Sequence, residues 1–260
     1  MYKCLRFNIA SVFLFANLLL SSNSATSQQT MNTSIFLQGN TPKLISRQFS
    51  FTEGPAADEE GNVFFTDQPN NTIWKYDVDG KLHLFMDSAG RANGMYFDTQ
   101  ESLIACADEH NQLWRINKAG RVTVLLSGFM GKRFNGPNDV WVDPKGGLYF
   151  TDPYYQRSYW TRKAPELAGQ DVYYLQKGRN EATVVIRGLK KPNGIIGTPD
   201  GKWLYVADIG DGKTYRYPIQ ENGNIGEGTL FAAMGSDGMT LDEQGNVYLT
   251  GQGITVFNSS

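Results

Sequence analysis

The stretch GPNDVWVDPKGGLYFTD (136–152) reads as a β-hairpin: the apolar run VWV enters an Asp-Pro-Lys-Gly-Gly turn and LYF returns. Its head is the puzzle. Asn138, a polar amide, stands where the first strand begins, five residues before Asp143 and eight before Gly146.

Working outward, the same pattern recurs. DEEGNVFFTD (58–67), DTQESLIACAD (98–108), DPKGGLYFTD (143–152), TPDGKWLYVAD (198–208) and DEQGNVYLTG (242–251) each combine a turn with a returning strand. Third strands follow as TIWKYD (72–77), QLWRIN (112–117), DVYYLQ (171–176), KTYRYP (213–218) and ITVFN (254–258). Fourth strands are LHLFMD (82–87), VTVLLS (122–127), TVVIRG (183–188) and TLFAA (229–233), and the fifth unit has none. A four-stranded unit recurring every 40 to 55 residues or so marks a β-propeller. No long amphipathic helical pattern competes with it after the N-terminal segment.

The expected fold is therefore all-β, a six-bladed β-propeller over 43–260 with an incomplete last blade. Five units begin within the chain, and KLISRQF (43–49) would supply the outer strand of a sixth. A closed five-bladed ring is the alternative, against which the missing fourth strand counts.

Among the 260 residues, 13% are aromatic and 19% charged, which fits a globular chain with a large core and excludes disorder. The 24 basic and 26 acidic residues give a net charge of −2. The basic residues are scattered, so no stripe is present to displace phosphate counterions, and nucleic acid is not an expected partner. Residues 1–27 read as a secretory signal and the start of a short linker: Lys3 and Arg6, the apolar run IASVFLFANLLL (9–20), then small residues. The run is short for a membrane span, so export to the periplasm or the medium is expected, without a stable membrane anchor. Cys4 would leave with that segment, and Cys106 then stands alone in a strand as a buried apolar residue.

Aligning the units on the Asp or Thr that opens each turn brings one earlier residue of every unit into register. These are Glu53, Asn93, Asn138, Asn193 and Asp237, two carboxylates and three amides. The innermost strands of a propeller surround its central channel, so equivalent positions converge there. Any one of them alone reads as a turn-closing residue. Five oxygen-bearing side chains in register point instead to a shared ligand. Two carboxylates brought together need a compensating cation, and a hard divalent ion accepts carboxylate and amide oxygens. Ca²⁺ is the expected metal, with Mg²⁺ or Zn²⁺ as alternatives. His83 and His110, the two histidines, lie outside the register, which counts against zinc.

FTEGP, NGPNDVWVDPKGGLYFTDP, KPNGIIGTPDGKWLYVAD and SDGMTLDEQGNVYLT, in that order, resemble the SMP-30/gluconolactonase/luciferin-regenerating enzyme family from about residue 45 onward. That resemblance implies a six-bladed propeller that binds one divalent metal, usually Ca²⁺, and hydrolyses sugar lactones. It implies metal ligands at Glu53, Asn193 and Asp237. Asn138 matches an Asn that binds the metal or holds substrate through a water on it, and Asp237 matches the carboxylate acting as general base or nucleophile. An Arg that animal members carry two residues before this Asn is Gly136 here.

The expected activity is that of a metal-dependent hydrolase of carboxylic esters, opening a small sugar lactone. A non-enzymatic propeller that binds a glycan or protein, and a phosphotriester hydrolase on the same metal site, are the alternatives. The third unit adds PYYQRSYWTRKAPELAGQ (153–170), whose aromatic and basic residues suit an anionic or sugar ligand and read as a lid. Asn93, Asn138, Tyr154, Tyr155, Arg157 and His110 are the candidate substrate contacts. DIGDGK (208–213) resembles half of a calcium loop but lacks its final Glu, and reads as a tight turn.

Overall fold

A computed structural model describes residues 41–258 of the chain. The expected export segment, 1–27, lies outside the described residues. The described chain forms nineteen strands in five antiparallel sheets, with no α-helix among them. Blade 1 comprises β1 (Thr52–Ala57), β2 (Val63–Asp67), β3 (Thr72–Tyr76) and β4 (Leu82–Met86). Blade 2 comprises β5 (Ala92–Phe97), β6 (Leu103–Ala107), β7 (Gln112–Ile116) and β8 (Val122–Leu126). Blade 3 follows with β9 (Val140–Val142), β10 (Leu148–Thr151), β11 (Val172–Leu175) and β12 (Thr183–Ile186). Blade 4 holds β13 (Pro192–Gly197), β14 (Trp203–Asp208), β15 (Lys213–Pro218) and β16 (Thr229–Ala232). Blade 5 has three strands, β17 (Met239–Leu241), β18 (Val247–Gly251) and β19 (Gly253–Phe257).

Each sheet pairs its strands in chain order, as hairpins joined by short turns require. The first strands of successive blades pack together in the series β1, β5, β9, β13 and β17. Among the described residues no comparably close contact returns from β17 to β1. A sixth blade is not among the described residues, and residues 43–49, expected as an outer strand, carry no strand pairing. Phe49 instead packs edge-on against Phe65 and Trp74 of blade 1. Among the described residues no helix is long and apolar enough to cross a membrane.

The core lies between blades as well as within them. One cluster joins blades 1 and 2 through Phe64, Met95 and Trp114, and a second joins blades 2 and 3 through Ile104, Phe134, Phe150 and Tyr173. The third joins blades 3 to 5 through Trp141, Tyr149, Ile195, Tyr205 and Leu249. In blades 2 and 4 burial falls from the inner strands outward: β6 and β13 are buried throughout, whereas β8 and β16 are partly exposed. Cys106 is a free, fully buried thiol in β6, as its apolar surroundings in the sequence require.

The spacing around Asn138 now has a cause. Asp143 opens the hairpin turn and accepts the backbone N–H groups of Lys145 (2.7 Å) and Gly147 (2.9 Å). Asp58 and Asp242 accept equivalent turn N–H groups in blades 1 and 5. The residue eight places after the register position takes a left-handed conformation, with φ +85° at Gly146 and +59° at Glu101, the one non-glycine in the set.

A second repeated Asp ends the second strand and clamps the chain entering its own blade. Asp67 accepts from the N–H groups of Ser50 and Phe51, Asp152 from Asn135 (2.9 Å) and Gly136 (2.8 Å), and Asp208 from Lys190 (2.7 Å) and Lys191 (2.8 Å). Asp152 is fully buried, and without it two N–H groups are stranded at roughly 1–3 kcal/mol each. Asp152→Ala is thus expected to lower the unfolding free energy by about 3 kcal/mol, read from urea denaturation. An unchanged midpoint would show that the clamp contributes nothing.

Candidate active site

The five register positions lie where neighbouring first strands approach one another, and their backbones are linked in sequence. A Cβ on Gly54 would lie 2.1 Å from the carbonyl oxygen of Asn93. The N–H of Gly94 donates to the carbonyl of Asn138 at 2.7 Å. The Asp139 carboxylate accepts the N–H of Ile195 at 3.0 Å, and the N–H of Gly194 donates to Ser236 O at 3.3 Å. Blade by blade, Glu53, Asn93, Asn138, Asn193 and Asp237 therefore occupy adjacent positions along the row of first strands. Gly54, Gly94 and Gly194, each following a register residue, leave room for this approach, whereas Gly238 faces open space.

Strand irregularities aim the side chains. The β1–β2, β5–β6 and β13–β14 ladders each shift register at this point, between Glu53 and Ala56, Ala92 and Met95, and Pro192 and Ile195. Such bulges bend a strand and redirect its side chains. The threonine ending the second strand supports the backbone behind: Thr66 Oγ1 donates to Glu53 O (3.2 Å), and Thr151 Oγ1 crosses to Asn193 O (2.7 Å).

At the head of the site, Asn193 Nδ2 donates to Asp237 Oδ1 at 2.8 Å and to the Tyr155 hydroxyl oxygen at 3.1 Å. Asn193 Oδ1 is buried and has no hydrogen-bond partner among the described residues. Glu53 is half-buried, and its carboxyl is pushed up to about 7, first by burial and then by the negative charge of Asp237. The Gly54 N–H and the charge of Arg157 pull the other way. Asn93 and Asn138 are buried, while Asp237 is exposed and open to water.

These residues fit a divalent cation. An orphaned buried amide oxygen is an acceptor in need of a positive partner, and two mutually repelling carboxylates supply matching charge. Among the described residues no group of three or more His, Cys, Asp or Glu is disposed to hold a metal. A cation held by Glu53 and Asp237 would need amide oxygens for the rest of its ligands.

The 153–170 loop reaches the site through Tyr155 and is fastened on blade 2. Asp108 is the second-strand Asp of that blade, but its carboxylate accepts from Arg157 Nε (2.8 Å) and from the Tyr159 hydroxyl, and its carbonyl accepts Trp160 Nε1 (3.0 Å). Blade 2 secures its own entry differently, through Asn71 Oδ1, which accepts the Arg91 N–H at 2.6 Å. Tyr154 turns away: its hydroxyl donates to Gln156 and its ring packs against Arg162 and Trp160. His110 is exposed and stacks on Trp114, and His83 is bound to Asp77 on an outer strand. In the 208–213 turn, Asp211 pairs with Lys190 and Lys213, leaving a tight, internally bonded loop.

Three participants escaped the sequence reading. Asp139 brings a third carboxylate to this end, bonded to the N–H groups of Val140 (2.9 Å) and Ile195, and loss of water around it pushes its pKa up to about 7. Its signal was that it replaces the glycine that follows the other four register residues. Asp108 and Lys191 had no such signal.

Residues 51–259 match the family described as SMP-30/Gluconolactonase/LRE-like region. The chain is 25% identical over 239 residues to a gluconolactonase of Zymomonas mobilis subsp. mobilis, spanning 81% of this chain and 67% of that protein. Its fold is similar to that of a gluconolactonase from Xanthomonas campestris, with TM-score 0.78 and 27% identity over 83% of this chain and 75% of that one. It is also similar in fold to regucalcin, a calcium-binding protein from Agrobacterium tumefaciens, with TM-score 0.64 and 21% identity over 81% and 72% of the two chains.

Proposed function

The chain belongs to the SMP-30/gluconolactonase/LRE-like family, and from that premise we propose that it is a divalent-cation-dependent hydrolase of carboxylic esters that opens a sugar lactone. The observation that carries this reading is the meeting of Glu53, Asn193 and Asp237, with Asn193 keeping a buried amide oxygen that has no partner among the described residues. The gluconolactonases among its relatives support the substrate class, and the calcium-binding neighbour supports Ca²⁺ as the ion.

Glu53, Asn193, Asp237 and Asn138 would hold the cation. When bound, it would supply Lewis acidity at the lactone carbonyl and stabilise negative charge developing on that oxygen. Asp237 then has a defined task. One of its oxygens is held by the Asn193 amide, and its exposure leaves the carboxylate accessible to water. It takes a proton from a water whose oxygen bonds to the carbonyl carbon. The ring C–O bond breaks, the departing alkoxide receives from Asp237 the proton taken from water, and the product is the open hydroxy acid. Tyr155 and the buried amides of Asn93 and Asn138 line the approach and orient the sugar hydroxyls.

The purified protein is expected to hydrolyse glucono-1,5-lactone, to lose that activity on chelation and to regain it with Ca²⁺. Calcium should also raise the melting temperature, since an ion that binds only the folded state stabilises it. Full activity in protein proven free of metal would sink the cation, and no lactone hydrolysis with calcium bound would leave a binding propeller. The same reading places the enzyme after export, on the pattern of residues 1–27. It also favours a six-bladed ring over a closed five-bladed one, because β17 and β1 do not pack together as the other inner strands do.

A further inference from the structure

Beside the carboxylates and amides lies a cationic edge that the proposed hydrolysis does not use. Lys191 Nζ lies 4.5 Å from the centre of the Tyr155 ring, and Arg157 Cζ lies 5.5 Å from it. The hydroxyl of that ring is the one bonded to Asn193. Two positive groups therefore flank the side chain that touches the candidate ligand cluster.

Among the described residues, the fold pairs only one of them with a carboxylate. Arg157 binds Asp108 through Nε alone, which fixes its direction, and its positive charge is felt at both Glu53 and Tyr155. Lys191 is half-buried and its ammonium has no carboxylate partner among the described residues, whereas its neighbour Lys190 pairs with Asp211. Glu53 and Asp237 would be neutralised by a divalent cation, and Asp108 by Arg157. Lys191 then stands at the mouth of the site with its charge held by an aromatic face and not by a carboxylate among the described residues.

We propose that Lys191 and the Asp108-anchored Arg157 form an anion-recognition edge, so that the preferred substrate is a sugar lactone bearing a carboxylate or a phosphate ester away from its ring carbonyl. This rests on the lactonase reading above. Tyr155 spaces the edge from the hydrolytic centre, so the anion and the reacting carbonyl occupy opposite ends of one ligand. Asp108 is a positioning residue: it aims Arg157 without itself touching substrate.

The test compares a neutral lactone, glucono-1,5-lactone, with glucaro-1,4-lactone and 6-phosphogluconolactone on the wild type, Lys191→Met and Asp108→Asn. One anionic lactone is expected to show a KM about tenfold below the neutral one, the scale of a charge-assisted hydrogen bond. Which of the two it is identifies the anion. In Lys191→Met the ratio of kcat/KM for that lactone over the neutral one should fall about tenfold, and in Asp108→Asn by a few-fold. A neutral preference in the wild type, or an equal loss on both lactones in Lys191→Met, overturns the edge and leaves the lactonase reading intact. Calorimetric binding of glucarate, with sorbitol as the uncharged control, provides a readout independent of turnover. Tighter binding of glucarate that weakens about tenfold in Lys191→Met supports the edge even if every lactone is inert. Equal binding of glucarate by both proteins, or none, overturns it.

Discussion

Asp237→Asn and Glu53→Gln are each expected to lower kcat/KM for lactone hydrolysis by about 10²–10⁴-fold, the first through loss of a positioned general base and the second through loss of a charged ligand of the cation that polarises the carbonyl. The two variants should reach that loss by different routes. Asp237→Asn removes the proton acceptor and leaves the Asn193 amide facing another amide. Glu53→Gln removes only charge from the ligand set. The cation-free protein reports the difference, because burial and, after it, the negative charge of Asp237 push the Glu53 carboxyl up to about 7, so the ionised pair is unfavourable without a cation. Removing either charge should therefore hold or raise the melting temperature without calcium, while abolishing the rise that calcium causes. A side chain that merely packed would give the opposite result, a lower melting temperature and an unchanged calcium response. Retention of wild-type kcat/KM by either variant would refute the assignment of the site.

The blades were legible in the sequence because a propeller blade is local. Its strands pair with their chain neighbours, and the turns carry their own chemistry, as at Asp143 and Gly146. The register of Glu53, Asn93, Asn138, Asn193 and Asp237 was legible for the same reason, since it repeats with the turn. Contacts between blades left a fainter trace. Asp139 looked like the polar neighbour of Asn138, yet its partner Ile195 lies 56 residues away. Asp108 looked like one more strand-ending Asp, and nothing nearby in the chain indicated that it would hold Arg157 and Tyr159 of the next blade. Residues 43–49 have a strand-like composition, but strand formation needs a paired edge, and Phe49 is instead drawn onto Phe65 and Trp74.

Gly54→Ala is expected to destabilise the fold by roughly 4 kcal/mol or more, an exceptional cost for one methyl group. Two penalties combine. Gly54 has φ +52°, a left-handed conformation that costs a Cβ-bearing residue about 1–2 kcal/mol. The added Cβ would also meet Asn93 O at 2.1 Å, and Asn93 C and Gly94 Cα at 2.9 Å. All three are backbone atoms of β5, so no rotamer change relieves the overlap, and blades 1 and 2 must separate. Separation moves Glu53 away from Asp237, so calcium affinity should fall together with stability. Gly238, at the equivalent position after Asp237, has no atom within 4 Å of its would-be Cβ and no positive φ. Gly238→Ala should therefore cost less than about 1 kcal/mol, close to an ordinary surface change. Equal unfolding midpoints for the two variants in urea would mean that the glycines serve only chain flexibility. A large gap would mean that the close approach of the first strands holds the carboxylates in register.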